Sequence, residues 1–414
     1  PSRRSVSASH PASPSRAHSV SNGSNLWRTF TNTFISFIGA GILGLPYAFS
    51  KVGIIGGTVC LVTVAVMATY CMLLVVDARD AIAAKLPADE AALLSYGDLG
   101  MRAFGRFGKP IVNGCLLLSQ AGFSRAYLIF IATNVQASFP GWSKNVIIAA
   151  VVPVLCVLAM VRHLKHLAFG STIANVANIT GLLVVFGSDV VVLNDSHSMA
   201  PRERASLGTL PLFLGVAAYC FEGVGMVLPL KQSMAEPKKF KGVLVGTLAL
   251  VTFIYVFFGC TSYLAYGDNT QEIVTLNLSN PAFSNLVKFA LCVGLYLTYP
   301  VMMVPVNNIL ERVLFGEAAI TSNCAVLILR SRLMRVGLVV GTAFVAASVP
   351  DFDLFLGLIG STCCSALAFV IPAVINLRLR EGLPATSKAL SVCCIVIGLA
   401  AMVLGVHDSA RELL

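Results

Sequence analysis

Long apolar stretches, separated by short polar segments, follow one another through most of the chain. A helix needs about 20 mostly apolar residues to cross a bilayer, and eleven stretches of this kind each predict a transmembrane helix. Spans one to eleven cover residues 26–50, 53–78, 110–138, 144–161, 169–193, 207–230, 240–266, 282–311, 333–349, 354–377 and 387–407. The pattern predicts an all-α polytopic membrane protein.

Composition agrees with the apolar pattern. The hydrophobic fraction is 57% and the charged fraction is 12%, whereas a soluble domain carries about 25% charged residues. Lipid is therefore the expected solvent for one transmembrane domain, residues 26–407. Residues 1–25 are rich in Ser, Pro and Arg and cannot bury a core, so we predict a disordered tail there. Residues 408–414 are predicted to form a second, shorter tail.

Cysteine spacing and catalytic motifs exclude several other classes of protein. The twelve cysteines lie mostly within apolar stretches, where cysteine behaves as a small buried hydrophobe. No Cys-x-x-Cys pair occurs, so neither structural zinc nor redox chemistry is indicated. No His-Glu-x-x-His motif occurs either. We therefore expect no enzyme, no metal site and no cofactor.

Lysines and arginines are distributed unevenly between the two sets of loops. With a cytoplasmic N-terminus, 22 of the 29 fall on the cytoplasmic side and 5 on the opposite side. Basic residues in short loops favour the cytoplasmic side. The first tail is therefore predicted to be cytoplasmic and the last one non-cytoplasmic. This asymmetry also accounts for the net charge of +10, so no nucleic-acid partner is expected.

Spans one and six share a motif that interrupts a helix. Both read Phe-x-Gly-x-Gly and reach Leu-Pro soon afterwards. The first is Phe37-Ile38-Gly39-Ala40-Gly41 before Leu45-Pro46, and the second is Phe221-Glu222-Gly223-Val224-Gly225 before Leu228-Pro229. A glycine weakens a helix by about 1 kcal/mol relative to alanine, and a proline by about 3 kcal/mol. In hydrocarbon, such a break is tolerated only where protein or a cavity covers the backbone.

The two breaks occupy corresponding positions of a predicted inverted repeat. Span six follows span one by five crossings, so the two spans cross the membrane in opposite directions. Repeat one would cover residues 26–193 and repeat two 207–377, with 387–407 as an extra helix. Interrupted spans at matching positions point to the binding site of a transporter. In the other interpretation, the glycines only allow close helix packing.

Two facing breaks suit a ligand that carries both charges, such as an α-amino acid. Amides at the start of a half-helix favour an anion, and free carbonyls favour a cation. The predicted substrate-binding residues are Phe37, Gly39, Ala40, Gly41, Cys220, Phe221, Gly223 and Gly225. The amides of residues 39–41 would bind the carboxylate, and the carbonyls of residues 220–223 the ammonium. Phe221, or a residue near it, would close over the substrate.

Ionisable side chains inside the membrane are costly and are therefore candidates for function. Glu222 lies within the second break, where it either carries a coupling proton or caps freed backbone amides. Arg125 either pairs with Glu222 or another acid, faces a water-filled vestibule, or lies nearer the interface. Asp189, near the outer end of span five, is expected to be hydrated. Lys288 in span eight is expected to extend to the interface.

These motifs resemble the amino acid/auxin permease family, in particular its vacuolar and lysosomal neutral amino acid transporters. The matching segments are Ser36 to Phe49, Phe221 to Leu230 with Met234 and Pro237, 96–100 with 103–105, 127–131, 299–300 with 305–306, and 349–352 with 358–361. The resemblance covers about residues 26–407. It implies an eleven-span fold like that of the bacterial leucine transporter, and amino acid symport that is often proton-driven.

The resemblance adds one candidate residue and two departures. A span-eight hydroxyl near the first break completes a sodium site in the family fold, and Thr298 is the matching residue; otherwise it bonds its own helix backbone. Lys231 stands where many relatives carry an acid, and Arg125 where relatives are usually uncharged.

The sequence therefore predicts a secondary transporter of neutral amino acids that works by alternating access, with H⁺ as the coupling ion. A sodium-coupled or uncoupled carrier, or an amino acid sensor, is the alternative. The expected location is a vacuolar or lysosomal membrane, with the plasma membrane as the alternative.

Overall fold

The fold is known from a computed structural model, which describes residues 24–87, 90–91, 94–160, 164–195, 207–278, 281–316, 324–348 and 352–413. Residues 1–23 of the predicted tail lie outside these ranges. The last two residues of that tail are ordered. The Ser24 amide donates to the Ser233 carbonyl at 2.8 Å, and the Asn25 side chain accepts from the Arg28 amide at 2.9 Å.

The described chain is built from helices. They are α1 Leu26–Phe37, α2 Gly41–Ala83, α3 Tyr96–Phe104, α4 Gly108–Ser138, α5 Lys144–Ala159, α6 Leu164–Asp195, α7 Leu210–Cys220, α8 Val224–Ser233, α9 Phe240–Tyr266, α10 Pro281–Phe315, α11 Ala325–Ser348, α12 Phe352–Leu379 and α13 Ala385–Leu413. The middle of α12 is π-helical, over Gly360–Cys364 and Ala366–Val370. Strand pairing in the described chain is an isolated bridge between Ser24 and Met234.

Each predicted span corresponds to a helix or to part of one. Eight helical segments of the described chain are long and apolar enough to cross a membrane, and Lys144–Ala159 is apolar but shorter. The helix at span nine, α11, carries three arginines in its first half: Arg330, Arg332 and Arg335. The helical, multi-pass character is therefore confirmed, whereas the eleven crossings and the inverted repeat stay predictions.

Helix α2 covers the end of span one and all of span two, with a sharp kink at Gly53. The backbone there has φ 75° and ψ 169°, in a region that glycine enters without a Cβ penalty. The kink lies beside the predicted boundary at residues 51–52. At the other end of the chain, α13 extends to Leu413, so it runs through most of the predicted second tail.

Two groups of helices pack around the centre of the molecule. In the first group, α2 contacts α7 and α9, and α1 contacts α8 and α9. In the second group, α10 contacts α4 and α6, and α11 contacts α4 and α5. Helix α12 lies so close to α7 that a Cβ on Gly360 would be 1.8 Å from the Gly215 carbonyl oxygen. The site described below lies where the two groups face each other.

Ion pairs join helix ends at one end of the molecule. Asp77 on α2 accepts from Lys241 and, at 3.4 Å, from Arg380. Asp80, one turn further on, accepts from Lys231. All three cations belong to loops that the charge pattern assigns to the cytoplasm, so the fold brings together residues predicted to share one side of the membrane.

Candidate functional site

The two predicted helix breaks are present and touch each other. Helix α1 ends at Phe37 and α2 begins at Gly41, while α7 ends at Cys220 and α8 begins at Val224. A Cβ on Gly41 would lie 2.8 Å from the Cys220 sulfur, and a Cβ on Gly223 would lie 2.5 Å from the Phe37 ring. The glycines therefore let the two breaks approach more closely than side chains would allow.

Each break leaves backbone polar groups unpaired, as helix termini do. Within the described chain, the amides of Gly39, Ala40 and Gly41 make no backbone hydrogen bond. The next helical turn starts with a hydrogen bond of 3.1 Å from the Leu43 amide to the Ala40 carbonyl. The second break resumes with the Met226 amide on the Gly223 carbonyl at 2.9 Å. Pro46 and Pro229 lie a turn inside α2 and α8, not in the breaks themselves.

Tyr255 on α9 contacts both breaks. Its hydroxyl donates to the carbonyl of Phe37, the last residue of α1. Its ring packs against Phe221, with the ring centroids 5.4 Å apart. Tyr255 is fully buried, so this contact is made inside the protein.

A cavity of about 320 Å³ opens beside the breaks, between helices α1, α4, α6, α8 and α10. Its apolar wall includes Ile38, Met226, Val301 and Met302, and its polar wall includes Asn32, Ser36, Gln120, Tyr127, Asn175, Asn178, Glu222 and Thr298. Ligand pockets in proteins typically measure about 300–1,000 Å³. The volume therefore suits a small organic molecule, with an apolar part and several hydrogen-bonding groups.

A smaller pocket continues from this cavity into the breaks. It is lined by Phe37, Gly39, Ala40, Gly41, Cys220 and Glu222, and also by Phe123, Tyr127, Tyr219 and Tyr255. Five residues line both spaces: Ser36, Phe123, Tyr127, Glu222 and Met302. The predicted substrate-binding residues of the first break therefore meet Cys220 and Glu222 around one pocket.

Two of the predicted residues lie elsewhere. Phe221 has no exposed surface, packs on Tyr255, and is not among the residues that line the cavity or its pocket. Gly225 instead lines a wider opening beside Leu116. The aromatic residues that do line the pocket include Phe123 and Tyr219, whose rings pack edge to face with their centroids 4.5 Å apart.

Among the residues that the structure describes, Glu222 is the charged side chain that lines the main cavity. It is 5% exposed, and one carboxylate oxygen lies 3.5 Å from the Gln120 side-chain amide. The other oxygen is buried without a hydrogen-bond partner in the described chain. The Glu222 carboxylate therefore contacts the Gln120 side chain. It does not cap the freed backbone amides, which was one of its two predicted roles.

The other polar candidates separate into different places. Thr298 lines the cavity, but its hydroxyl donates to the Gly294 carbonyl of its own helix at 2.8 Å. The Arg125 guanidinium stacks over the Phe355 ring at 3.6 Å, so its contact is with α12. Asp189 was expected to be hydrated, which is wrong, since it has no exposed surface. The neighbouring helix α9 covers it, a contact that the apolar pattern of α6 alone does not reveal.

Lys288 and Lys231 are both largely buried. Lys288 is 8% exposed and lines a pocket of about 190 Å³ with Asn134 and Asn285. Lys231, at a position where an acid was expected from the family resemblance, is 5% exposed and pairs with Asp80. Its charge is therefore used in a contact between α8 and α2, away from the cavity.

Sequence reasoning missed several residues at the site, among them Gln120, Phe123 and Tyr255. Gln120 gave a usable signal, because a polar amide inside an apolar span is a candidate for function. Phe123 and Tyr255 are aromatic residues in apolar stretches, and only their tertiary neighbours distinguish them. Within the described residues, no group of three or more His, Cys, Asp or Glu side chains is placed to hold a metal ion.

Broken helices that meet at a central cavity in a multi-pass helical protein define the class of protein, a membrane transporter. Residues 22–410 match the family described as transmembrane amino acid transporter protein. The chain belongs to this family, and it is an integral membrane protein rather than an enzyme.

Named relatives agree with this assignment. The chain is 35% identical to amino acid transporter ANT1 of Arabidopsis thaliana, over 92% of this chain and 91% of that protein. It is 35% identical to amino acid transporter AVT3C of the same plant, over 94% and 91%. It is 28% identical to vacuolar amino acid transporter 3 of Schizosaccharomyces pombe, over 83% of this chain and 52% of that protein.

The fold is similar to that of Mhp1, a nucleobase-cation-symport-1 family transporter. The inward-facing conformation of Mhp1 superposes with a TM-score of 0.57, at 15% identity, over 95% of this chain and 91% of that chain. The closed conformation gives a TM-score of 0.54, at 14% identity, over 94% and 93%. At these identities the likeness concerns the fold alone.

Proposed function

We propose that this protein is a proton-coupled secondary transporter of neutral amino acids that works by alternating access. The observation that carries the proposal is the buried Glu222 carboxylate, which lines the cavity at two touching helix breaks. A carboxylate that is shielded from water and lacks a cationic partner favours binding a proton. The membership of a family of amino acid transporters supports the substrate class.

The unpaired backbone groups support recognition of a zwitterion. The amides of residues 39–41 lie at the start of α2, where the helix dipole favours a carboxylate. The carbonyls of residues 220–222 lie at the end of α7, where the dipole favours an ammonium group. The two ends touch through Gly41 and Cys220, which matches the short separation of the two charges in an α-amino acid.

The wall of the cavity supports a neutral side chain. Apart from Glu222, the described residues that line the main cavity are uncharged. A charged substrate side chain would be desolvated there, and its one counter-charge among the described lining residues would be the Glu222 carboxyl that we propose to bind the proton, so its burial is costly. The apolar wall of Ile38, Met226 and Met302 would instead contact an aliphatic or other uncharged side chain.

A wider opening supports alternating access from the cytoplasmic side. This vestibule of about 520 Å³ is lined by Lys109, Gly225, Pro305 and Arg312, among others. Pro305 also lines the main cavity, so the two spaces adjoin. Lys109 and Arg312 belong to segments that the charge pattern assigns to the cytoplasm, and the N-terminus would lie on the same side.

An inverted repeat and a vacuolar membrane complete the proposal. The motif Phe-x-Gly-x-Gly recurs at the two breaks, and α2 of the first half packs on α9 of the second. The name of the Schizosaccharomyces pombe relative refers to the vacuole. An acidic vacuolar lumen would provide the proton gradient.

The test is transport of labelled amino acids by the purified chain in proteoliposomes under an imposed pH gradient. One coupled proton is worth about 1.4 kcal/mol per pH unit, which is about tenfold accumulation. We expect wild-type protein to show this dependence. Glu222→Gln should still exchange labelled for unlabelled substrate, because the cavity keeps its shape, but should lose acceleration by the gradient.

Glu381→Gln is the matched control, since Glu381 is an exposed glutamate far along the chain after α12. It should behave as wild type. If the pH gradient accelerates transport by Glu222→Gln as much as transport by wild type, Glu222 is not the proton site. Acceleration by a sodium gradient instead would favour sodium coupling, and absence of amino acid flux under every gradient would contradict the transport proposal itself.

A further inference from the structure

A second carboxyl group is buried in the protein, away from the cavity. Asp189 on α6 and Ser262 on α9 both have no exposed surface, and the Ser262 hydroxyl donates to one Asp189 oxygen. The other Asp189 oxygen is buried without a hydrogen-bond partner in the described chain. The carboxyl group thus lies at the contact between two helices, enclosed by protein rather than by water or lipid.

The groups that surround Asp189 do not neutralise a negative charge. From α9 it faces Ser262 and the hydroxyl of Tyr266, both uncharged. Helix α10 also packs against α6, with Leu291 beside Gly181. The charged residue of α10 near this contact is Lys288. It lines the pocket formed with Asn134 of α4 and forms no ion pair with Asp189 in the described chain.

Burying a carboxylate that no cation faces costs far more free energy than neutral hydroxyl donors such as Ser262 and Tyr266 return. A protonated carboxylic acid avoids that cost and still accepts the Ser262 hydroxyl bond. The described conformation therefore keeps a proton on Asp189, whereas a conformation in which α6 and α9 separate would hydrate the group and release it.

The position of Asp189 connects this proton to the transport site. Its helix also carries Asn178, which lines the main cavity, about 17 Å away at 1.5 Å per residue. The helix on the other side of the contact carries Tyr255, which holds the first break through Phe37, about 11 Å from Ser262 by the same measure. A change at the contact would move both walls of the site.

We propose that Asp189 is a second proton-binding site, distinct from Glu222, and that its proton locks α6 against α9 in the conformation described here. Asp189 lies near the end of α6 that is predicted to be non-cytoplasmic, so the proton would come from that side. Low pH on that side would favour the locked state, and higher pH would release the contact. The proposal does not depend on which ion drives transport.

Hydrogen–deuterium exchange of the purified full-length protein tests this directly, because the readout needs no transport. Peptides from α6 and α9 are followed between about pH 5 and about pH 8. Asp189→Asn keeps the acceptor oxygen and the size of the protonated acid but cannot titrate. Amide exchange itself depends on pH, but equally in both proteins. We therefore compare the protection of each peptide in wild type with that in Asp189→Asn as a ratio, in which this dependence cancels.

We expect this ratio to be constant at low pH and then to fall by up to about tenfold per pH unit as the proton leaves, the limit for one proton. Ser262→Ala should lower protection at every pH while leaving the slope in place. Asp408→Asn, the same change at a more accessible acid on α13, and Glu222→Gln should both follow wild type.

A constant ratio across the whole range would overturn the proposal, and so would a slope that disappears in Glu222→Gln. If Asp189→Asn proves too unstable to purify, Asp189→Ser, which is equally uncharged and smaller, makes the same comparison. Loss of gradient-driven transport in Glu222→Gln concerns the transport proposal alone, so the two ideas fail by different measurements.

Discussion

A single methyl group at Gly41 tests whether the two breaks must touch. The Cβ of Gly41→Ala would lie 2.8 Å from the Cys220 sulfur and 2.9 Å from a ring carbon of Tyr219. Both distances are shorter than side-chain carbons normally approach, so the surrounding residues must shift. Overpacking of this kind costs about 1–3 kcal/mol, while alanine returns up to about 1 kcal/mol of helix propensity.

With about 2 kcal/mol, the middle of the overpacking range, less up to about 1 kcal/mol of propensity, the net effect is about 1–2 kcal/mol against the described conformation. This corresponds to a factor of about 5–30 in its population. Transport requires every conformation of the cycle, so we expect initial rates in proteoliposomes to fall by a similar factor. A larger residue, as in Gly41→Val, should abolish transport. Size-exclusion and thermal-melting measurements should show that Gly41→Ala remains folded.

Gly39→Ala is the matched control, two residues away in the same break. Its Cβ would lie 3.6 Å from the Tyr127 hydroxyl, which is an ordinary contact, so we expect a much smaller effect. The double variant with Cys220→Ala should recover part of the Gly41→Ala loss, because the sulfur is removed. Equal rates for the two glycine variants, with no recovery in the double variant, would refute the close approach of the breaks.

Two further contacts give predictions that melting and transport assays check. Glu311→Gln should lower the stability of the purified protein by about 3–5 kcal/mol, because Arg335, at 2.9 Å from Glu311, would keep a buried charge; Glu236→Gln, in an exposed pair, should cost under about 1 kcal/mol. Tyr255→Phe leaves the Phe37 carbonyl without its donor, so we expect about 1–3 kcal/mol of destabilisation and a several-fold lower kcat/KM. An unchanged melting temperature in Glu311→Gln, or wild-type kinetics in Tyr255→Phe, would show that these contacts are unimportant.

The helix breaks could be predicted from sequence because their causes are local. Paired glycines and a following proline weaken a helix whatever surrounds it, and the breaks occur at residues 38–40 and 221–223 as the motif indicated. The apolar stretches likewise correspond to helices, since bilayer thickness fixes the length of apolar helix that is needed, and each stretch is continuous in the sequence. Family membership followed from the same short motifs.

Site details could not be predicted, because they depend on contacts between distant parts of the chain. Tyr255 lies 218 residues from Phe37, whose carbonyl it supports. Gln120 lies 102 residues from Glu222. Asp189 was expected to meet water because it stands near a helix end, and it is instead covered by α9. Neighbours of this kind follow only from the way the helices pack.

The sequence by itself determined that this protein is a multi-pass helical membrane protein with two interrupted spans. Hydrophobic length, glycine and proline positions, and the placement of basic residues act through local energetics and through the bilayer. The tertiary structure decided which side chains surround the breaks, that Glu222 meets Gln120 rather than a freed amide, and that Asp189 is buried. Those outcomes depend on packing between helices that are far apart in sequence, which no local pattern specifies.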